Sequence, residues 1–327
     1  MRTLTLRQAI RDAIREEMRR DPRVFVLGVD VAGYGGAFKV TEGLLAEFGP
    51  DRILDTPISE SAVMGAAVGA ALVGRRPIAE VMYGDFATIA MDHLVNSAAK
   101  IRYMSGGELS APLVVRMAVG AGRRGGAHHS QSPEAWLTNV PGLIVVMPST
   151  PFDAKGLLKS AIRCNDPVVF LEPKLLYNKP GEVPEDEYLV PLQKADVKRE
   201  GSDVTIVATG LMVDRALSAA QRLADDAVRA EVIDLRTILP WDEETVIKSV
   251  RKTSRLIIVH EAPVRFGIGG EIAAVVSRQV FGYLDAPIER LGAPFTPVPF
   301  SPPLEDAYIV GENQIVDAAR AMLAQRV

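Results

Sequence analysis

With 327 residues, 48% of them hydrophobic and 24% charged, the chain is long enough for about two ordinary globular domains with self-sufficient cores. A net charge of −4 excludes the basic footprint of a nucleic-acid binder, and a single cysteine, Cys164, excludes an internal disulfide framework. The longest nearly apolar run, 62–73, is shorter than the roughly 20 residues of a membrane-spanning helix. Acidic Asp12, Glu16 and Glu17 interrupt the first helical segment, unlike a cleaved leader. The expectation is a cytoplasmic protein with no membrane or nucleic-acid partner.

In chain order, Leu6, Ile10, Ala13, Ile14 and Met18 fall on one helical face. Continuous apolar runs predict strands at 24–29, 53–55, 78–81, 113–117, 143–146 and 168–171, with helices at 61–73, 89–104 and 151–163. Strands apolar on both faces and separated by helices predict a parallel sheet covered on both sides. The text then turns polar, with Pro173, Pro180, Pro184 and Pro191 spaced along it, which predicts a linker. Strands at 204–208, 230–233, 256–259 and 288–291 alternate with helices at 212–225, 243–252, 269–281 and 312–325. The predicted fold class is α/β, with two three-layer domains, each a largely parallel sheet flanked by helices. The expected bounds are 1–175, a linker at 176–200, and 201–327.

Several segments could carry chemistry. Glu60 follows a predicted strand and opens a helix, where it either complements the helix dipole or faces a ligand at the strand end. Ala62, Gly65, Ala66, Gly69 and Ala70 give that helix a face of small residues, suited to close approach of another backbone. Met82 and Phe86 stand after the next strand, and Phe86 is either core or a platform for a flat ring. GAGRRGGAHHSQSP at 120–133 is a glycine-rich loop leading to His128 and His129, candidates for proton transfer or for a structural turn. FGIGGE at 266–271 has the look of a dinucleotide fingerprint but lacks its final glycine, so a structural helix start is the simpler reading. The chain has no Walker-type loop and no G-D-G…N magnesium-diphosphate pattern.

LDTPISE at 54–60, HSQSPEAW at 129–136, PGLIVVMPSTPFDAKGLL at 141–158, DPVVFLEPKLLY at 166–177, GSDVTIVATG at 201–210, VIDLRTILPWD at 232–242 and PFTPVPFS at 294–301 together resemble one family over almost the whole chain. That family comprises the beta subunits of the thiamine-diphosphate-dependent first component of 2-oxo acid dehydrogenases of pyruvate, acetoin and branched-chain type. The resemblance implies a transketolase-like pyrimidine-binding domain followed by a transketolase C-terminal-like domain. It implies a split site, in which an alpha subunit holds the diphosphate and Mg2+ and this chain holds the aminopyrimidine ring. It assigns Glu60 to the ring nitrogen, Phe86 and Met82 to the ring's surroundings, and His129 to acyl transfer. It gives His128 no role. It further implies an alpha2-beta2 heterotetramer, a lipoyl acyltransferase core as partner, and a 2-oxo acid or acetoin as substrate. Some members hold K+ near the positions of Leu113, Ala161, Cys164 and Asp166, although this sequence departs from them at Cys164 and Asp166.

The reading that follows is a pyruvate- or acetoin-type beta subunit. A branched-chain 2-oxo acid subunit is the near alternative. A non-catalytic scaffold is the alternative of a different class.

Overall fold

The computed structural model describes residues 1–325, so the last two residues of the predicted second domain, 326–327, lie outside the described chain. The chain divides into two compact units, Met1–Val119 with Trp136–Leu192, and Gly120–Ala135 with the chain from Gln193 onward.

The first unit opens with β1 (Arg2–Thr5), α1 (Leu6–Arg20), β2 (Val24–Gly28), α2 (Leu44–Phe48), β3 (Ile53–Asp55), α3 (Glu60–Leu72) and β4 (Arg76–Val81). A 3-10 turn at Gly84–Phe86, α4 (Ala87–Met91), a π-helical stretch at Asp92–Ala98, α5 (Ile101–Met104) and β5 (Val114–Val119) follow. After α6 (Glu134–Thr138) come β6 (Ile144–Val146), α7 (Pro151–Arg163), β7 (Val168–Pro173) and β8 (Pro180–Val183). The strands lie in the order β6-β7-β5-β4-β2-β3, each neighbouring pair parallel. Residues of β2, β5, β6 and β7 are buried throughout, as expected of a sheet covered on both faces.

Local sequence sets the helix ends. Thr5 and Gln8 cap α1 reciprocally, with the Thr5 amide donating to Gln8 Oε1 at 2.8 Å and the Gln8 amide to Thr5 Oγ1 at 3.4 Å. Thr150 caps α7 by accepting the Asp153 amide at 3.1 Å, ahead of a helix that starts with Pro151. Helices α1 and α7 meet through charge as well as apolar contact. Lys155 and Lys159, one turn apart and almost wholly buried, donate to the two oxygens of Glu16 at 2.6 and 2.8 Å, and Arg163 donates to Glu17 at 2.7 Å. These charges are buried but paired, which is the condition for tolerating them.

The structure departs from the sequence expectation in several places. The single helix predicted over 89–104 is broken into α4, the π-helical stretch and α5. There the imidazole of His93 lies against Gly65 of α3, where a Cβ would stand 3.2 Å from Nε2. Residues 176–200, expected as a linker, hold β8, which pairs antiparallel with β1, and β9 (Asp196–Arg199), which joins the second sheet. A proline is compatible with such an edge strand because its missing amide hydrogen is not needed on the outer side.

The second unit continues with β10 (Val204–Ala208), α8 (Leu211–Asp225), β11 (Ala230–Asp234), β12 (Thr237–Leu239), α9 (Glu243–Thr253), β13 (Leu256–Pro263), α10 (Ile268–Val280), β14 (Glu289–Ala293), α11 (Pro302–Tyr308) and α12 (Glu312–Ala324). Its sheet runs β14-β13-β10-β11-β9, parallel except for β9 at the edge. Val207, Ile233, Val250, Ile258 and Val276 form the centre of its core. The glycine text at 266–271 is a structural helix start. A Cβ at Gly267 would fall 2.5 Å from His260 Cε1, so the turn is closed by that buried ring.

The glycine-rich segment Gly120–Ala135 belongs to this second unit. Glu305, fully buried on α11, accepts the Gly122 amide at 2.7 Å and the Arg124 amide at 3.0 Å, and Arg124 Nη1 at 2.8 Å. At the far end of the segment Glu134 is fully buried, and neither of its carboxylate oxygens has a well-formed hydrogen bond. Burial pushes its carboxyl up to about 7, against the pull of its own amide and that of Ala262.

Two outcomes test this description. Gly142 has φ +100°, and a Cβ there would stand 2.0 Å from the Ala99 carbonyl oxygen. Gly142→Ala should therefore lower unfolding free energy by about 3 kcal/mol or more in urea titration. A change below about 0.5 kcal/mol, the size of an ordinary surface substitution, would show that the turn relaxes freely. For Glu134 the folded carboxyl titrates near 7 against an ordinary 4.5, so the folded state holds the proton across that window and stability falls as pH rises through it. Glu134→Gln should stabilise the chain by roughly 2–3 kcal/mol at pH 8, with the gain shrinking as pH falls toward the ordinary carboxylate range. Unfolding curves of the two proteins at pH 8 and pH 5 that differ by the same amount would contradict it.

Candidate active site

Parallel strands present their loops at the carboxyl edge, where open α/β sheets bind ligands. Strands β3 and β4 flank β2 and run parallel to it, so the loops after all three leave the same edge. The loop after β2, residues 29–43, was not singled out from sequence, although its text DVAGYGGAF is rich in turn residues. Gly35 and Gly36 have φ +81° and +79°, and a Cβ at Gly35 would fall 2.8 Å from the Glu42 Cα. Asp55, at the end of β3, accepts the amides of Ala32 at 2.7 Å and Gly33 at 3.4 Å. This carboxylate therefore pins the loop.

The next carboxylate along, Glu60, is the first residue of α3 and is half-buried. Met82 and Phe86, both half-buried, follow β4. The Phe86 ring meets Tyr83 edge-on, with centroids 5.9 Å apart, and Tyr83 meets Phe38 of the 29–43 loop edge-on at 5.5 Å. Phe38 in turn stacks on Tyr177 at 4.9 Å with a 27° interplanar angle. The edge thus carries a carboxyl group, a thioether and an aromatic cluster, of which the sequence predicted Glu60, Met82 and Phe86 and missed Phe38, Tyr83 and Tyr177.

A buried charge cluster lies on the strands below. Arg116 of β5, 1% exposed, donates Nε to Glu172 Oε1 at 2.7 Å, Nη2 to Glu172 Oε2 at 2.9 Å, and Nη1 to Glu80 Oε2 at 2.6 Å. Tyr177 donates its hydroxyl to Glu172 Oε2 at 2.6 Å. Burial raises the Glu80 carboxyl above its ordinary value, opposed by Arg116. Burial, reinforced by the Glu172 charge, drives the Tyr177 phenol well above its own. Sequence alone offers no signal for this cluster, because Glu80, Arg116 and Glu172 lie on three different strands.

His129 is half-buried and His128 exposed, with ring centroids 6.0 Å apart. Both belong to the second unit, whereas Glu60, Met82 and Phe86 belong to the first. Gly125 lets the histidine loop fold back on itself, since a Cβ there would meet His129 Cβ at 3.0 Å and Ser130 Oγ at 2.9 Å.

The segments named for a potassium ion do come together in the first unit, around an arginine. The Leu113 carbonyl accepts the Val168 amide at 3.0 Å, and the Ala161 carbonyl accepts the Cys164 amide at 3.2 Å. Arg76 Nη1 donates to the carbonyls of Cys164 at 2.8 Å and Ile162 at 2.9 Å, and Arg102 Nε donates to Asp166 Oδ1 at 2.6 Å. The Ile162 and Cys164 carbonyls and the Asp166 carboxylate thus each receive a guanidinium donor. Among the described residues no group of three or more His, Cys, Asp or Glu side chains could hold a metal ion.

The donor set at the carboxyl edge fits the ring half of a thiamine cofactor, which needs an apolar or aromatic surround and one carboxyl group. Its described side chains include no carboxylate cluster fitted to a magnesium diphosphate. The transketolase pyrimidine-binding domain family matches residues 2–180, and the transketolase C-terminal domain family matches residues 193–315. The chain is 52% identical over 329 aligned residues to an acetoin:2,6-dichlorophenolindophenol oxidoreductase subunit beta of Cupriavidus necator, covering 98% of this chain and 97% of that one. It is 48% identical to a 2-oxoisovalerate dehydrogenase subunit beta of Bacillus subtilis, covering 98% and 99%. It is 49% identical to a pyruvate dehydrogenase E1 component subunit beta of Rhizobium meliloti, covering 98% and 70%. A solved structure described as a split gene transketolase, inactive beta4 tetramer, superposes with a TM-score of 0.82 at 25% identity, covering 99% of each chain. The chain belongs to the transketolase-related family of 2-oxo acid dehydrogenase beta subunits.

Proposed function

We propose that this chain is the beta half of a thiamine-diphosphate-dependent dehydrogenase of acetoin or pyruvate type, active with an alpha subunit that holds the diphosphate and magnesium. The observation that carries the reading is the carboxyl edge of the first unit, where Glu60 opens α3 while Met82 and Phe86 follow β4 on the same side of the sheet. The acetoin subunit of Cupriavidus necator at 52% identity, and a second from Bacillus subtilis at 49%, support the choice of substrate class.

The bound cofactor supplies a stabilised carbanion for attack on a carbonyl carbon. This chain's part is to bind, orient and manage protons. Phe86 offers a half-buried aromatic face and Met82 a polarisable thioether to a flat ring. Glu60 is the proton-handling group at the ring nitrogen, and its place in the first turn of α3 keeps its carboxylate accessible. His129 is the proton carrier for the transferred acyl group, a role suited to an imidazole near neutral pH. None of these roles requires a potassium ion.

The reading has direct tests in the complex reconstituted with its alpha subunit. Glu60→Gln should leave the unfolding curve of the chain in place and lower turnover by about 10² to 10⁴, the usual cost of losing one proton-transfer contact. Turnover within threefold of the parent would remove Glu60 from that role. His129→Ala should lower acyl transfer to a lipoyl acceptor by about 10² or more, while exposed His128→Ala should stay near the parent rate. Equal losses at the two histidines would contradict the assignment. Calorimetric titration of thiamine diphosphate with magnesium should show tight binding to the mixture of subunits and none to this chain alone.

A further inference from the structure

Strand pairing fixes the course of β4 only as far as Val81, which pairs with Met117 of β5. Beyond that register Met82, Tyr83 and the turn at Gly84–Phe86 have left the sheet, and side-chain contacts add to the turn's own backbone bonds in holding them. One continuous path of such contacts runs from the deepest charges of the first unit to Phe86. Arg116 grips Glu172 with two parallel hydrogen bonds, Glu172 accepts the Tyr177 hydroxyl, Tyr177 stacks on Phe38, Phe38 meets the edge of Tyr83, and Tyr83 meets Phe86. The Phe38–Tyr83 and Tyr83–Phe86 contacts are both edge-on, at 76° and 80°, and close packing of this kind is the route by which a shift of Phe38 would reach Phe86.

The same charges lie close against the start of the 29–43 loop, which carries Phe38. A Cβ at Gly36 would fall 3.2 Å from Glu80 Oε1, and one at Gly28 would fall 2.9 Å from the Glu80 carbonyl oxygen. Glu80 is held by Arg116. A buried arginine with two carboxylates is weak support for stability, because well-packed apolar side chains of similar volume often serve as well. What a bidentate guanidinium fork gives that apolar packing does not is fixed direction.

We propose that Arg116, Glu172 and Tyr177 are positioning residues which, through Phe38 and Tyr83, set the orientation of Phe86 toward the aminopyrimidine ring. The proposal rests on the reading of Phe86 as the ring's platform. None of the three is among the residues proposed to surround the ring. Their effect should therefore appear as coupling to Phe86 in cofactor affinity, which a purely structural role would leave unchanged.

The test is a cycle of substitutions in the reconstituted alpha–beta complex, reading the Kd for thiamine diphosphate with magnesium by calorimetry and the Tm of each variant. Tyr177→Phe keeps the ring stack and deletes the hydroxyl bond to Glu172. Phe38→Leu keeps the hydroxyl bond and deletes the stack. Each should raise Kd by about 3- to 10-fold, the scale of one aromatic contact or one coupled pair. In a Phe86→Leu background the Tyr177→Phe change should add less than twofold. Where one single variant fails to assemble, the other decides. Weakened binding in Phe86→Leu with parent-like Kd in both Tyr177→Phe and Phe38→Leu overturns the proposal and leaves the platform reading standing. Full multiplicative effects in the double variant overturn it as well. Parent-like Kd in Phe86→Leu overturns the platform reading, and the proposal with it.

Discussion

Parallel pairing of β2, β3 and β4 is the constraint on which the candidate site depends. A parallel sheet sends every crossover back over one of its faces, so the carboxyl ends of neighbouring strands share an edge free of helical connections. Three loops therefore leave one edge together, carrying Phe38, Glu60 and Phe86 from positions 22 and 26 residues apart in the chain. Strand pairing places these loops near one another, and the finer geometry comes from side chains. Asp55 holds the amides of the first loop, and the Phe38–Tyr83–Phe86 contacts tie that loop to the third.

Several charges inside this protein are buried together with a partner of opposite sign. Lys155 and Lys159 are almost wholly buried and share the two oxygens of Glu16, and Arg116 divides its donors between Glu80 and Glu172. Glu305 receives two loop amides as well as an arginine. Each of these bonds joins residues from different segments, so it ties those segments together within their unit. Glu134 contrasts with these, a buried carboxyl lacking well-formed bonds at either oxygen, and its displaced titration follows from its burial.

The site on this chain is chemically one-sided. It offers a carboxyl group, a thioether and aromatic surfaces, and its described side chains include no acidic cluster suited to a metal-bound diphosphate. That asymmetry agrees with the match to a pyrimidine-binding domain over residues 2–180. The loop bearing His129 is organised by the second unit through Glu305, which explains why a segment lying between strands of the first sheet in sequence has the turn chemistry of an independent element.

Apolar runs and their spacing in the sequence determined the main strands of both α/β sheets and most of the long helices, because burial on two faces and helix periodicity are written in consecutive residues, whereas α2, α6 and α11 were not expected and Glu60, Met82, Phe86 and His129 were given their roles only through the resemblance of their motifs to a family. FGIGGE was legible only as a choice between ligand loop and structural turn, and His260, packed into Gly267 from another segment, decided it. The linker expected at 176–200 became β8 and β9 because strand pairing depends on a distant partner, β1 for one and β11 for the other. The Arg116 cluster, the guanidinium groups at the Cys164 turn, and the assignment of residues 120–135 to the second unit were likewise settled only by tertiary structure. Each joins residues tens of positions apart, and periodicity carries no information about which distant charge a buried group will meet.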